Sequence, residues 1–320
     1  MVNIVIEVSK YLLILLIAAY TYWNFSYFRF RAPWQQGRVC VRQNVAMFLL
    51  HFVAYAVLFL KSEDERVILF YLAQTGHIGI LEVVNDTAEQ NCQVPRLVQE
   101  ERVDGVIVMG NFSKAYRNML AETEIPLVVL DAFDARYHRD SVISDGYYGM
   151  YTMVDYLLQM GHRDIVFVGS VNATSSITDR YYGYCRAMRE AGVTVTEDHI
   201  LPDRDAEGKV TVSLERLSKL PTAFACNCDV TAYVLLNALK ENGIRVPEDV
   251  SVVGFDDYIL ADLAVPSLTT YAIDVDHMAK VSAQQLIRRI QKPEAEVRRI
   301  VVSGKLVIRE SVQKHSGNIA

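Results

Sequence analysis

Five cysteines and seven histidines are the side chains of this 320-residue chain best suited to act as nucleophiles, bases or metal ligands. Their spacing supports none of those roles. Cys40, Cys92, Cys185, Cys226 and Cys228 form no C-x-x-C pair and have no histidine at ligand spacing, so an odd, scattered set reads as reduced thiols. Cys226 and Cys228 alternate along a predicted strand and the loop after it, and would face opposite ways in regular strand geometry. His51, His77, His138, His162, His199, His277 and His315 are equally dispersed. No G-x-S-x-G, G-x-x-x-x-G-K-[ST] or H-E-x-x-H occurs, so there is no nucleophile elbow, phosphate loop or zinc-protease helix. We assign no catalytic residue, metal ligand or cofactor, and read the chain as a binding protein rather than an enzyme. Tyr147, Tyr148, Tyr181 and Tyr182 suit stacking on a sugar ring, or half-buried packing on their helices.

The elements that would position a binding site begin near Gly76. From there short apolar runs alternate with amphipathic segments, which is the pattern of a doubly wound α/β fold with parallel sheets. Predicted strands are Ile78 to Val84, Gly105 to Met109, Pro126 to Leu130, Ser141 to Ile143, Asp164 to Val168, Ala223 to Cys226, Ser251 to Phe255 and Leu268 to Thr270. Helices are expected over Thr87 to Glu101, Tyr147 to Met160, Arg180 to Ala191, Val230 to Asn242 and Asp276 to Ile290, with Gly161, Gly192 and Gly243 as left-handed caps. Such sheets bind ligands beyond the carboxyl ends of their strands.

The first 75 residues follow a different pattern. Tyr11 to Phe28 and Gln43 to Leu60 are uncharged runs of 18 residues each, at the lower edge of what crosses a bilayer core of about 30 Å. They read as two membrane-like helices, about 9–28 and 43–61, with aromatic residues crowding the end of the first. No small-residue cleavage site follows the first run, so a cleaved leader is not expected. Arg29, Arg31, Arg38 and Arg42 lie between the runs and point to a cytoplasmic loop. At 51% hydrophobic residues and a net charge of -6, the composition argues for a membrane-like part and against a broad nucleic-acid footprint. The stretches VNIVIEVSKYLLILLIAAYTYWNFSYF and RQNVAMFLLHFVAYAVLFLKSEDERVILFYLAQ resemble the start of the FtsW/RodA/SpoVE family of multi-pass cell-wall glycan polymerases, over about residues 1 to 74. The helices that would build that family's catalytic cavity do not follow, and its activity is not carried over.

Five segments carry a second resemblance: RVDGVIVMG (Arg102 to Gly110), MGHRDIVFVGS (Met160 to Ser170), DRYYGYCRAM (Asp179 to Met188), LPTAFACNCDVTAYVLLNALKENGIRVPEDVSVVGFDD (Leu220 to Asp257) and PSLTTYAIDVDHMAKVSAQQLI (Pro266 to Ile287). In order and spacing they are similar to the LacI/GalR family of transcription regulators. The resemblance implies a two-lobed, periplasmic-binding-protein-like effector domain over 76–312, one lobe holding about 76–143 and 275–302 and the other about 144–271 and 303–310, with a tail at 313–320. It implies a small-molecule effector, a sugar or related polyol, and a homodimer. DNA enters by family association only.

Matched to that family, Arg180 resembles its ligand arginine, whose fork suits paired hydroxyls or a carboxylate; an interlobe salt bridge is the other reading. Asp256, just past a strand end, would accept hydrogen bonds from sugar hydroxyls, or serve as a hinge bond. Asp229 matches the acidic residue of the family's Asn-Asp pair and equally suits an N-cap. Asp131 at the end of VVLD has similar standing, and Ser175 and Ser176 would add hydroxyl contacts. Cys228 departs from the pattern, standing where many members carry asparagine, and this leaves the sugar class open.

The larger departure is at the front. Residues 1–75 lack the basic helix-turn-helix through which the family reads DNA, and the sensing domain's usual first strand and helix are missing; Val67 to Leu72 is the segment available to fill the strand's place. The expected function is therefore that of a LacI-type sensor for a small sugar-like effector without its DNA-binding part. A membrane-tethered sensor and a non-functional fusion of two genes stay open. Localisation follows suit: at the membrane if 9–61 forms real helices, cytoplasmic by the sensor's family.

Overall fold

The computed structural model describes residues 63–110, 112–133 and 135–315. The two membrane-like runs, and with them the expectations of membrane insertion and of a cell-wall polymerase resemblance, lie outside this range. Among the described residues no helix is long and apolar enough to cross a membrane.

Two four-stranded parallel sheets organise the chain. The first has the order β1 (Val106–Met109), β2 (Leu127–Leu130), β3 (Asp140–Ser144), β9 (Arg299–Val302). The second runs β5 (Ile200–Leu201), β4 (Ile165–Val168), β6 (Ala223–Cys226), β7 (Ser251–Val253). β8 (Thr270–Ala272) and β10 (Lys305–Val307) pair antiparallel as a separate ribbon. The central strands β2, β4 and β6 are continuous apolar runs, buried as is usual where helices cover both faces of a parallel sheet, whereas the edge strand β9 is largely exposed.

In the second lobe, α5 (Gly146–Gln159) and α6 (Ser175–Glu190) place Met150, Met153, Leu157, Tyr184 and Met188 against Ile165, Phe167 and Ala225. On the opposite face α7 (Asp229–Glu241) packs Leu235 and Leu239 on Val166, Val168 and Phe224. α5 and α6 begin on side-chain caps that satisfy a free amide: Asp145 accepts from Tyr148 N at 3.1 Å and Thr174 from Ile177 N at 3.1 Å. Gly161, Gly192 and Gly243 follow the three helices with φ of 93°, 76° and 72°, as their sequence positions predict. α5 and α6 meet at Gly183, where a Cβ would collide with the carbonyl of Tyr147.

The first lobe is built on α1 (Glu63–Gln74), α2 (Asp86–Gln90), α3 (Arg96–Gln99), α4 (Lys114–Glu122) and α9 (Val275–Gln291). Ile68 of α1, with Met278 and Leu286 of α9, packs on Val128, Leu130 and Val142, while Tyr116 and Leu120 of α4 cover the other face. Asp140 is fully buried and anchors α9 to β3, accepting from Arg289 Nε at 2.6 Å and from Arg298 N at 2.7 Å.

Three expectations are corrected. Val67 to Leu72 lies within helix α1 and fills no strand slot; Ile68, Tyr71 and Leu72 pack in the cluster formed with α9 and the sheet. Ile78 to Val84 is extended but pairs with no strand among the described residues; Glu82 instead accepts from the amides of Arg96 at 2.6 Å and Leu97 at 3.0 Å. Thr87 to Glu101 breaks into two short helices because Pro95 has no N–H to continue one. Helices α8 (Ile259–Leu263) and α4 (Lys114–Glu122) are not among the helices expected from the sequence, although α4 is amphipathic and buries Tyr116 and Leu120.

Candidate functional site

Three chain crossings join the lobes: β3 into α5, β8 into α9, and β9 into β10. They are tied together, since Asp145 N donates to Val302 O at 2.9 Å and Gly304 N to the Tyr271 hydroxyl at 2.9 Å. The polar residues singled out from the sequence gather beside these crossings.

Arg180, on the second turn of α6, is 4% exposed. Its Nη1 donates to Asn227 O at 2.6 Å and its Nη2 to Asp256 Oδ1 at 2.9 Å, and the guanidinium lies 3.9 Å over the ring of Phe255. Nε is buried with no hydrogen-bond partner. Such a planar cation, stacked and forked, is held in one orientation.

Asp256 follows β7 in a left-handed backbone conformation, φ 108°, and Asp131 follows β2 with φ 55°. Both strand ends thus carry an aspartate where a side chain seldom sits, and such outliers gather at functional sites. Burial raises the Asp256 carboxyl to about 7; Arg180 draws it down, and the neighbouring charges of Asp229 and Asp131 push it further up. Its side chain nevertheless keeps 28% exposure, whereas that of Arg180 keeps 5%.

Asp131 is exposed and accepts from Ser144 Oγ at 3.0 Å. It belongs to the first lobe, and its charge reaches Asp256 of the second. Ser175 bridges the lobes as well, its Oγ accepting from Phe133 N at 3.4 Å. Ser176 is turned to Thr174, 2.9 Å away between the two hydroxyls.

Asp229 does not join this front. It is fully buried, and its oxygens accept from Thr270 Oγ1 at 2.6 Å and Tyr258 N at 2.7 Å, locking β8 and the loop before α8. It is the first residue of α7, whose cap position is Cys228, so neither the N-cap reading nor open access to the cleft describes it. Burial raises its carboxyl to about 6, against those two hydrogen bonds.

Several contributors carry no signal of their own in the sequence. Asn227 donates to Asp203 Oδ2 at 2.7 Å and Val168 O at 2.9 Å, and Thr231 donates to the same Asp203 oxygen at 2.8 Å. Burial alone would raise Asp203, but these bonds and that from Ser170 N hold it below the usual carboxylate range. Phe255 and Phe133 supply aromatic faces, the second stacked under Arg299 at 4.2 Å, which in turn approaches Asp179 of the other lobe at 3.9 Å. Asn227, Phe255 and Asp179 stand beside singled-out residues, Cys228, Asp256 and Arg180, whereas Asp203, Phe133 and Arg299 do not. The tyrosines gather elsewhere: Tyr181 packs on Phe167 at 5.5 Å, and Tyr147 and Tyr182 line a groove beside Val193 to Val195. The four described cysteines, Cys92, Cys185, Cys226 and Cys228, are unpaired, and no group of three or more histidine, cysteine or carboxylate side chains is placed to hold a metal among the described residues.

A stacked arginine, two strand-end aspartates and a bridging serine line the junction of the two lobes. Residues 154–312 match the periplasmic binding protein-like domain. The HTH-type transcriptional repressor PurR of Vibrio campbellii is 31% identical over 249 residues, 76% of this chain and 75% of that protein. PurR of Vibrio parahaemolyticus is 32% identical over the same length. Among solved structures, the transcriptional regulator CelR in complex with cellobiose superposes with a TM-score of 0.69 at 25% identity, covering 78% of each chain. A LacI family regulator from Enterococcus faecium with bound ribose gives 0.67 at 26% identity, covering 79% of this chain and 94% of that one. At this level of identity and coverage, the chain belongs to the LacI family of transcriptional regulators, through a periplasmic-binding-protein-like effector domain.

Proposed function

We propose that this chain senses a small, hydroxyl-rich, uncharged effector, a sugar or related polyol, in the cleft between its lobes. The observation that carries the reading is the Arg180–Asp256 pair, whose arginine is buried while its aspartate side chain stays 28% exposed and within reach of the charge of Asp131 on the other lobe. Carboxylates whose ionised form accepts hydrogen bonds suit hydroxyl donors, and their crowding disfavours an anionic ligand. A ligand moves the lobes only by its difference in affinity between open and closed states, and groups drawn from both lobes supply that difference. Two of the solved relatives hold cellobiose and ribose, in line with this class.

The sensor would work as a homodimer. Ile259, Leu263 and Val265, at 66%, 66% and 89% exposed, leave a contiguous apolar surface on and after α8, suited to a second copy. Regulation of transcription is the role of the relatives; the expected lack of a helix-turn-helix falls on residues 1–75, most of which lie outside the described residues.

The test is thermal unfolding of the full chain in mild detergent against cellobiose, ribose, sugar acids and nucleobases. A ligand of the native state raises the midpoint with the logarithm of its concentration over its dissociation constant. One neutral sugar or polyol should do so, and Asp256→Ala should abolish the rise. A shift confined to an anionic ligand, or none across the panel, would overturn the reading.

A further inference from the structure

We infer that the second lobe carries another small-molecule site, a groove on the outer side of α6 that takes a planar aromatic carboxylate. Tyrosines that the sequence offers for sugar stacking form one wall of it. The groove encloses about 740 Å³ and is lined by Tyr147, Tyr182, Arg186, Arg189, Val193 and Val195 among others. That volume lies within the range of about 300 to 1,000 Å³ typical of small-molecule pockets.

The chemistry of the wall narrows the class. Arg186 is committed: it donates to Glu190 at 2.8 Å and to the Tyr148 hydroxyl at 3.3 Å, and lies 5.9, 5.5 and 4.9 Å over the rings of Tyr147, Tyr148 and Tyr151. Its charge is balanced by Glu190, and the aromatic wall is thereby held rigid. Arg189 lies one turn minus a residue further along the helix; it is exposed and forms no side-chain hydrogen bond or ion pair among the described residues. One free guanidinium fork matches one carboxylate through two parallel hydrogen bonds. Val193 and Val195 add apolar surface beside the rings of Tyr147 and Tyr182, with Thr194 between them in sequence, and aromatic faces favour a planar ring over a flexible chain. A multiply charged phosphate would find one unpaired cation and the carboxylate of Glu190 nearby. The site is separate from the interlobe cleft: Arg180 is buried against Phe255, whereas this groove opens beside the turn that ends α6.

The experiment is calorimetric titration of the full chain with three probes, salicylate, cyclohexanecarboxylate and benzamide, which separate the ring from the charge. Salicylate should bind with saturable one-to-one heat, and each of the other two at least tenfold more weakly. Arg189→Ala and Tyr182→Ala, both at exposed positions, should each weaken salicylate at least tenfold, while Asp256→Asn in the cleft should leave it unchanged. Unsaturable heat, equal binding of all three probes, or indifference to Arg189→Ala would overturn the site. Loss in Asp256→Asn alone would place the ligand in the cleft and overturn it equally.

Discussion

Arg180 and Asp256 form an ion pair of 2.9 Å in which one partner belongs to the core and the other to the cleft, the arginine side chain 5% exposed and the aspartate 28%. The arginine is over-determined, by Asn227 O and the Phe255 ring, so the pair orients the aspartate rather than the reverse. Removing the buried partner is therefore the harsher change. Arg180→Ala should cost about 3 to 5 kcal/mol of stability, because it leaves a shielded carboxylate and a buried carbonyl unpaired. Asp256→Asn keeps the shape and should cost far less in stability while weakening the effector at least tenfold. Chemical denaturation and effector titration of the two variants check the split; equal stability loss would contradict it.

The same carboxylates set a pH dependence. Asp256 and Asp229 are raised to about 7 and about 6, chiefly by burial, from an ordinary value of 3.8. Across that window the folded chain retains protons that the unfolded chain releases, so the contribution of these groups to stability falls as pH rises from about 4 to 7, then levels off. Unfolding midpoints of the effector-free protein and of Asp256→Asn, compared from pH 4 to 8, should converge as the pH falls. Effector hydroxyls that donate to ionised Asp256 give the opposite trend for binding, which should tighten by up to tenfold per pH unit below about 7. An effector affinity independent of pH would remove Asp256 from the contact.

Gly183 is the point at which α5 and α6 touch through their backbones. Gly183→Ala would push the Tyr147 carbonyl aside, spread the two helices and tilt Arg180 on the preceding turn. Overpacking of this kind costs about 1 to 3 kcal/mol. The expected result is a lower unfolding midpoint together with reduced effector affinity, and an unaltered midpoint would show that the helices have room to part.

Asp203 organises the floor beneath the site, taking hydrogen bonds from Asn227, Thr231 and Ser170 while fully buried. Asp203→Ala strands three donors, and at about 1 kcal/mol or more for each it should destabilise by about 3 kcal/mol. Thr231→Val removes one and should cost about a third as much. Guanidinium melts of both variants measure the ratio.

The apolar surface around α8 predicts an association constant sensitive to charge. Leu263→Lys with Val265→Lys should shift the full chain from dimer to monomer in sedimentation while leaving its unfolding cooperative. A monomer before any substitution would contradict the proposed use of that surface.

Much of the architecture was legible before any coordinates. Apolar runs such as Asp164 to Val168 and Ala223 to Cys226 can only be strands shielded on both faces, and glycines at 161, 192 and 243 must end helices, because local sterics decide both. Of the residues singled out, Arg180 pairs with Asp256, and Ser175 accepts from Phe133 N across the lobe junction. What the sequence left undecided depends on contacts between distant segments. Asp229 and Asp256 look alike in one dimension, each an acid near a strand end; Thr270 and Tyr258, far along the chain from Asp229, turn the first inward and leave the second its open edge. Ile78 to Val84 has the composition of a strand yet pairs with none among the described residues, and Val67 to Leu72 becomes helix because α9 offers it a face to cover. Local propensity fixes the kind of element a segment favours, but a neighbour's backbone or side chains decide whether that element is paired, which way an aspartate turns, and so which residues form a site.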